Sequence, residues 1–226
     1  MTNGIFLILI IAAFGLTIWA QFKVKGTFNK FSEVPNMRGI SGYQAARHML
    51  DSNGLQDVPI EPVQGTLSDH YDPVNRVVRL SEPVYYGTSI SSVAVACHEI
   101  GHAIQHKQHY PMLKLRHRMF PVVNFTSGIA PFLLLAGFLF SSFNLIGLGV
   151  IFFSAAVAFQ LVTLPVEFNA SNRARDIMVA EGYVTQDEER NVGKVLNAAA
   201  LTYVAAALLS VLELARYLFL LFGNRD

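Results

Sequence analysis

Four long apolar stretches set this chain apart from any ordinary globular fold. They run from about 5 to 22, 122 to 142, 145 to 166 and 198 to 222. Each approaches the ~20 residues that a helix needs to cross a bilayer core. Backbone inside hydrocarbon must satisfy its own hydrogen bonds, so each stretch predicts a helix rather than an open strand. The charge content agrees: 15% of the 226 residues are charged, against ~25% in soluble proteins. A cleaved secretory signal is the competing reading of the first stretch. It has no basic start, and position 18 is Ile rather than a small residue, so an anchor is expected. The net charge is +1, which gives no electrostatic reason to expect a nucleic-acid partner.

Charge also orients the spans. Residues 21 to 121 carry eleven Lys or Arg and residues 167 to 197 carry four, while the N-terminal tip and the break at Ser141-Ser142-Phe143-Asn144 carry none. The positive-inside rule places both charged segments in the cytoplasm and both termini outside, which requires an even number of spans. The expectation is a multi-pass protein of the cell membrane, mainly α-helical, with a tight hairpin over 122 to 166.

Within the first charged segment stands His98-Glu99-Ile100-Gly101-His102. The run around it is apolar and opens on Ser89-Ile90-Ser91-Ser92, a helix-start signal. On a helix, residues i and i+4 share a face, so both imidazoles can reach one metal ion. Zinc with an open position brings the pKa of a bound water to about 7. Glu99 beside it can take the proton as that water attacks a carbonyl. A helix with two satisfied core histidines is the plainer reading, but burying two imidazoles and a carboxylate is costly unless they are paired or bind metal. The single cysteine, Cys97, allows no internal disulfide. Its position next to His98 points it about 100° away on the helix, so it reads as a small core residue.

The remaining elements are short. Residues 26 to 40, with Gly26, Pro35 and Gly39, read as a linker. Ser41 to Asn53 reads as a helix capped by Ser41 and stopped by Gly54. Val58 to Val63 and Arg76 to Leu80 read as strands, with a turn-rich segment from Asp69 to Asn75 between them. An edge of this small sheet could hold an extended peptide. Pro165 is expected to end or kink the third span, with a helix restarting there and stopping at Gly182. Thr185-Gln186-Asp187-Glu188 is a capping box that leads into the fourth span. Glu213 and Arg216, spaced i,i+3 within that span, are expected to pair.

A catalytic zinc takes three protein ligands. A third His ten residues after the first is one known pattern, but position 108 is Gln, as is position 105. His106 and His109 read as histidines at the solvent or membrane edge. Glu167, the first acid after the hairpin and flanked by apolar residues, is the better candidate. The alternative for it is an acid favoured by the dipole at a helix N-terminus. His70 and Tyr71 are candidates to donate a hydrogen bond to an oxyanion, or they simply belong to the Asp72-Pro73 turn. Asn169 and Arg173 are candidates to orient Glu167.

At these residues the chain resembles the YugP-like membrane zinc metalloproteases, integral-membrane peptidases of the gluzincin type. The likeness covers most of the chain. It rests on Ser68 to Leu80 (S-D-H-Y-D-P-V-N-R-V-V-R-L), Ala96 to His106 (A-C-H-E-I-G-H-A-I-Q-H), Thr163 to Ala174 (T-L-P-V-E-F-N-A-S-N-R-A) and Ala198 to Ala206 (A-A-A-L-T-Y-V-A-A). The resemblance implies one zinc held by His98, His102 and Glu167, with Glu99 as general base. It implies a polypeptide substrate associated with the membrane, and a zincin-like catalytic domain. Better-known membrane gluzincins carry an Asp four residues after the ligand Glu. Here that position is Ser171, so a carboxylate pairing cannot be carried over. The expected organisation is an anchor at 1–22, a cytoplasmic metallopeptidase region at 23–121, the transmembrane hairpin at 122–166, cytoplasmic helices bearing the third ligand at 167–197, and a last transmembrane helix with its tail at 198–226. The competing reading is a membrane scaffold or chaperone that binds zinc without hydrolysis, and the intact Glu99 speaks against it.

Overall fold

The structure, a computed structural model, describes residues 2–223. The chain is mainly helical. In order come α1 (Thr2–Ser32), α2 (Gly42–Ser52), β1 (Ile60–Val63), β2 (His70–Asp72), β3 (Val77–Ser81), α3 (Glu82–Tyr85), α4 (Ile90–Lys107), α5 (Pro111–Leu139), α6 (Phe143–Ala180) and α7 (Gln186–Phe222). Among the described residues, α1, α5, α6 and α7 are the four helices long and apolar enough to cross a membrane. The chain divides into two compact units. One comprises residues 1–20, 111–165 and 201–226, and the other comprises residues 21–110 and 166–200.

The first unit is built from the apolar stretches. Its α5 and α6 approach closely because glycines face the partner helix. A Cβ on Gly137 would stand 2.7 Å from the backbone nitrogen of Ile146, and one on Gly149 would stand 2.8 Å from the Leu134 side chain. Small residues are how apolar helices pack when lipid offers no hydrophobic drive between them. Leu134, Ile146 and Val150 form a small buried cluster here, flanked by Leu214 and Tyr217. Arg216, read from the sequence as a partner for Glu213, holds its guanidinium 5.3 Å from the centre of the Tyr217 ring.

The second unit has a conventional core. Met49 and Leu50 of α2, Val78 and Leu80 of β3, Val93, Ile100 and Ile104 of α4, and Met178 of α6 are buried together. Its helices start where the sequence signals say. Ser41 caps α2 in a full capping box with Gln44, and the Ser89 hydroxyl accepts the Ser92 N–H at the head of α4. Gly54 and Gly182, at φ +67° each, follow the ends of α2 and α6 in the left-handed conformation that a helix stop favours. Thr185 and Glu188 form the expected capping box at α7.

Three expectations change. Residues 26–32 belong to α1 rather than to a linker; one glycine inside a long helix costs only about 1 kcal/mol. Pro165 does not end its helix, since α6 continues to Ala180; proline removes one N–H from the ladder and leaves the other bonds of the helix in place. His70–Asp72, read as turn, is a third strand. The sheet has the order β1-β3-β2, with β1 parallel and β2 antiparallel to β3.

Candidate metal centre

Two helices of the second unit bring three ligand-type groups together. His98 and His102 lie one turn apart on α4, and Glu167 comes from α6. Their candidate ligand atoms all lie within 4.8 Å of one another. Glu167 Oε2 is 3.4 Å from His98 Nε2 and 3.5 Å from His102 Nε2. The three side chains are 14%, 12% and 4% exposed for His98, His102 and Glu167. Gly101 permits the approach: a Cβ there would stand 2.6 Å from the Ala170 carbonyl oxygen on α6. The glycine inside the motif is therefore the crossing point that lets a carboxylate reach two imidazoles.

The outer nitrogens of both rings are held by neutral partners. His98 Nδ1 is 3.1 Å from Ser171 Oγ. His102 Nδ1 is 3.1 Å from Gln105 Oε1. Gln105 is fully buried, and its amide nitrogen donates to the Val166 carbonyl at 2.8 Å and to Asn169 Oδ1 at 3.0 Å. A backbone carbonyl only accepts, so the amide orientation is fixed and Oε1 must accept from His102 Nδ1–H. That leaves the Nε2 lone pair of neutral His102 facing a carboxylate oxygen. Two electron-rich atoms at this distance need a cation between them. Without an ion a proton does this: burial disfavours the imidazolium, yet the adjacent Glu167 more than offsets it, and the His102 pKa is raised. A metal ion does the same by displacing that proton. Two imidazole nitrogens and one carboxylate oxygen, with the His102 tautomer fixed from behind, fit zinc with an open coordination position.

Glu99 lies next to His98 on α4, is 8% exposed, and is anchored from the sheet. Its Oε2 accepts the Tyr71 backbone N–H at 3.0 Å. β2 is thus the edge strand that meets the acid of the motif. Asp69, just before it, fastens β3 by accepting the Ser81 N–H at 2.7 Å. Burial, and then the charge of Glu99, push its pKa up.

The other sequence candidates take definite positions. The His70 Nδ1–H donates to the Ser68 carbonyl at 2.9 Å, leaving Nε2 toward Arg79. The Tyr71 hydroxyl is 2.8 Å from His106 Nδ1. Asn169 and Arg173 join the site through Gln105: Arg173 Nε donates to Asn169 Oδ1 at 2.7 Å, and a further guanidinium nitrogen donates to Gln108. Sequence reasoning passed over Gln105 and Gln108 because they break the third-His pattern. Gln105 at i+3 from His102 shares its face, which was the available signal. Cys97 is buried, as expected, and its thiol pKa is pushed well up by burial.

Fold and site together define a helical protein with four candidate membrane spans and a two-histidine, one-carboxylate centre of metallopeptidase type. Residues 6–222 match the family described as "Putative neutral zinc metallopeptidase", and the chain belongs to that family. It is 62% identical over 222 residues, 98% of this chain and 99% of the other, to the Bacillus subtilis (strain 168) protein described as "Putative membrane protease YugP". No solved structure matches it.

Proposed function

We propose that the protein is a membrane-embedded zinc endopeptidase that hydrolyses peptide bonds in membrane or membrane-proximal polypeptides. The observation that carries this reading is the convergence of His98, His102 and Glu167, with Glu99 on the same helix as the two histidines and held at one oxygen by Tyr71 N–H. One zinc, held by these three residues, would polarise the substrate carbonyl and acidify a water. Glu99 is the general base. With Oε2 fixed by the Tyr71 N–H, its other oxygen is left to take the proton of the attacking water and return it to the leaving amine. Gln105 keeps His102 in the binding tautomer, and Ser171 holds the outer nitrogen of His98. An extended peptide added to the β2 edge would lie beside Glu99.

The sequence supports a cytoplasmic site close to the lipid, since Glu167 follows directly on the apolar stretch ending at residue 166 and the flanking segments are the basic ones. The direct test pairs wild type with Glu99→Gln in detergent. Both are expected to hold about one zinc per chain, and the variant is expected to lose at least ~10²–10⁴-fold in cleavage of unfolded or membrane polypeptides. Full activity of Glu99→Gln would refute its role. Zinc-loaded wild type that cleaves nothing would favour the scaffold reading.

A further inference from the structure

One turn beyond His102, α4 carries a second polar cluster that this chemistry does not use. His106 meets the Tyr71 hydroxyl there, beside a recess of about 300 Å³. The recess has buried apolar atoms of Leu55 and Ala103 at its base. Arg76, Lys107 and His109 line it as well. Arg76 pairs with the Asp57 carboxylate at 2.7 Å, and both side chains are more than half exposed. Lys107 also binds the Asn53 and Gly54 carbonyls at the end of α2. Arg76 and His109 both adopt left-handed backbone, at φ +52° and +56°. His109 does so as the stop of α4, where Tyr110 N–H returns to the Gln105 carbonyl, and Arg76 does so in the turn between β2 and β3.

We propose that this recess is a substrate subsite for an acidic residue, with the Leu55 and Ala103 surface taking the aliphatic stem and the basic groups and Tyr71 taking the carboxylate. The proposal rests on the peptidase reading and names a substrate feature for it. Arg76 and Lys107 supply fixed positive charge at the recess itself, so a carboxylate is the complementary ligand. Position follows from helix geometry. Four residues along α4 amount to ~6 Å, and an extended peptide covers that in about two residues. Tyr71 spans both places, its backbone N–H on Glu99 and its hydroxyl at the recess. The acidic residue therefore stands about two positions from the bond that is cut.

The test uses full-length, zinc-loaded Glu99→Gln in detergent micelles, so that binding is read without turnover. Fluorescent, amidated peptides of neutral background carry a single Glu or Gln at each position in turn, and binding is followed by anisotropy. One Glu peptide is expected to bind about tenfold tighter than its Gln twin. The advantage should vanish in the added double substitution Arg76→Gln with His109→Gln, and grow with Asp57→Asn, which removes the competing carboxylate. The second variant keeps the assignment testable even where the first folds poorly. Equal affinity of every Glu and Gln pair would overturn it. So would a preference confined to peptides with a free terminal carboxylate, which would assign the recess to chain ends. Wild type that cleaves no peptide defeats the peptidase reading and leaves the binding result intact, whereas equal affinities defeat the subsite alone.

Discussion

The N-terminal part of α1 and the helix α4 that carries His98 and His102 are both strongly apolar, yet they end in opposite surroundings. On α1, Ile8 is 68% exposed and Ile11 is 61% exposed, whereas on α4 Val93 and Ile100 are fully buried and Ile104 is 2% exposed. Burial of α4 is completed by protein, so its polar residues each need a protein partner: Gln105 has three and Glu99 has the sheet. The apolar face of α1 has no such requirement and suits lipid. Its one hydroxyl in that stretch, Thr17, simply donates to the Ala13 carbonyl one turn back. Hydrophobicity alone does not separate the two helices; the partners of the polar residues do.

Truncating the same side chain in the two places gives the largest expected contrast. Ile100→Ala opens a cavity in a closed core and should cost ~2–5 kcal/mol. Ile11→Ala should cost well under ~1 kcal/mol, because its atoms face solvent or lipid in both states. Chemical unfolding in detergent measures both. A large loss for Ile11→Ala would mean that protein, not lipid, covers that face.

The glycines sharpen the same contrast. Around Gly15 of α1 there is nothing within 4 Å of an added Cβ, but at Gly101 the Ala170 backbone is in the way. Gly101→Ala should therefore cost ~1–3 kcal/mol by overpacking and weaken zinc binding by moving Glu167. Gly15→Ala should be neutral or gain up to ~1 kcal/mol in helix propensity. Thermal unfolding and a competitive zinc titration read the pair. Next comes Ser171→Ala, expected to raise the zinc Kd by ~10–100-fold while leaving unfolding nearly unchanged, because it frees the His98 ring without opening a core.

The sequence was most legible where a residue type has a single physical use. The spans, the capping boxes at Ser41 and Thr185, the Gly54 and Gly182 stops and the His98–His102 pair all follow from local rules. Glu167 was legible as the first acid after the hairpin, because a lone carboxylate in apolar company asks for a partner. What stayed hidden depends on neighbours distant in sequence. His70–Asp72 is a strand because β3 and Glu99 take up its backbone groups, not because three polar residues favour extension. Gln105 looked like a failed ligand until Val166 and Asn169, more than sixty residues away, fixed its amide. Pro165 was expected to end or kink its helix, and α6 runs through it to Ala180.

The smallest effect falls on the polar edge of the sheet, a feature of the second unit. Asp72 is held well below the usual carboxylate range, first by the Asn75 side chain, then by the Asn75 backbone and Arg79, whose guanidinium lies 2.9 Å away. A depressed folded-state pKa means that the unfolded chain binds more protons in acid. The stabilisation is therefore fully present above the unfolded value of ~3.9, begins to fall below it, and is lost only as pH passes down through the lower folded-state value. Solvent screening limits it to at most ~1 kcal/mol. Asp69, whose pKa burial raises, acts with the opposite sign, so the wild-type curve alone would blend the two. The readout is the stability difference between wild type and Asp72→Asn, both metal-free in chelator, at pH 7 and pH 3. Wild type should be the more stable at pH 7, and the gap should narrow at pH 3, where the unfolded chain is protonated while the folded Asp72 is still ionised. A gap as wide at pH 3 as at pH 7 would mean that Asp72 holds the β2–β3 turn by its shape and not by its charge.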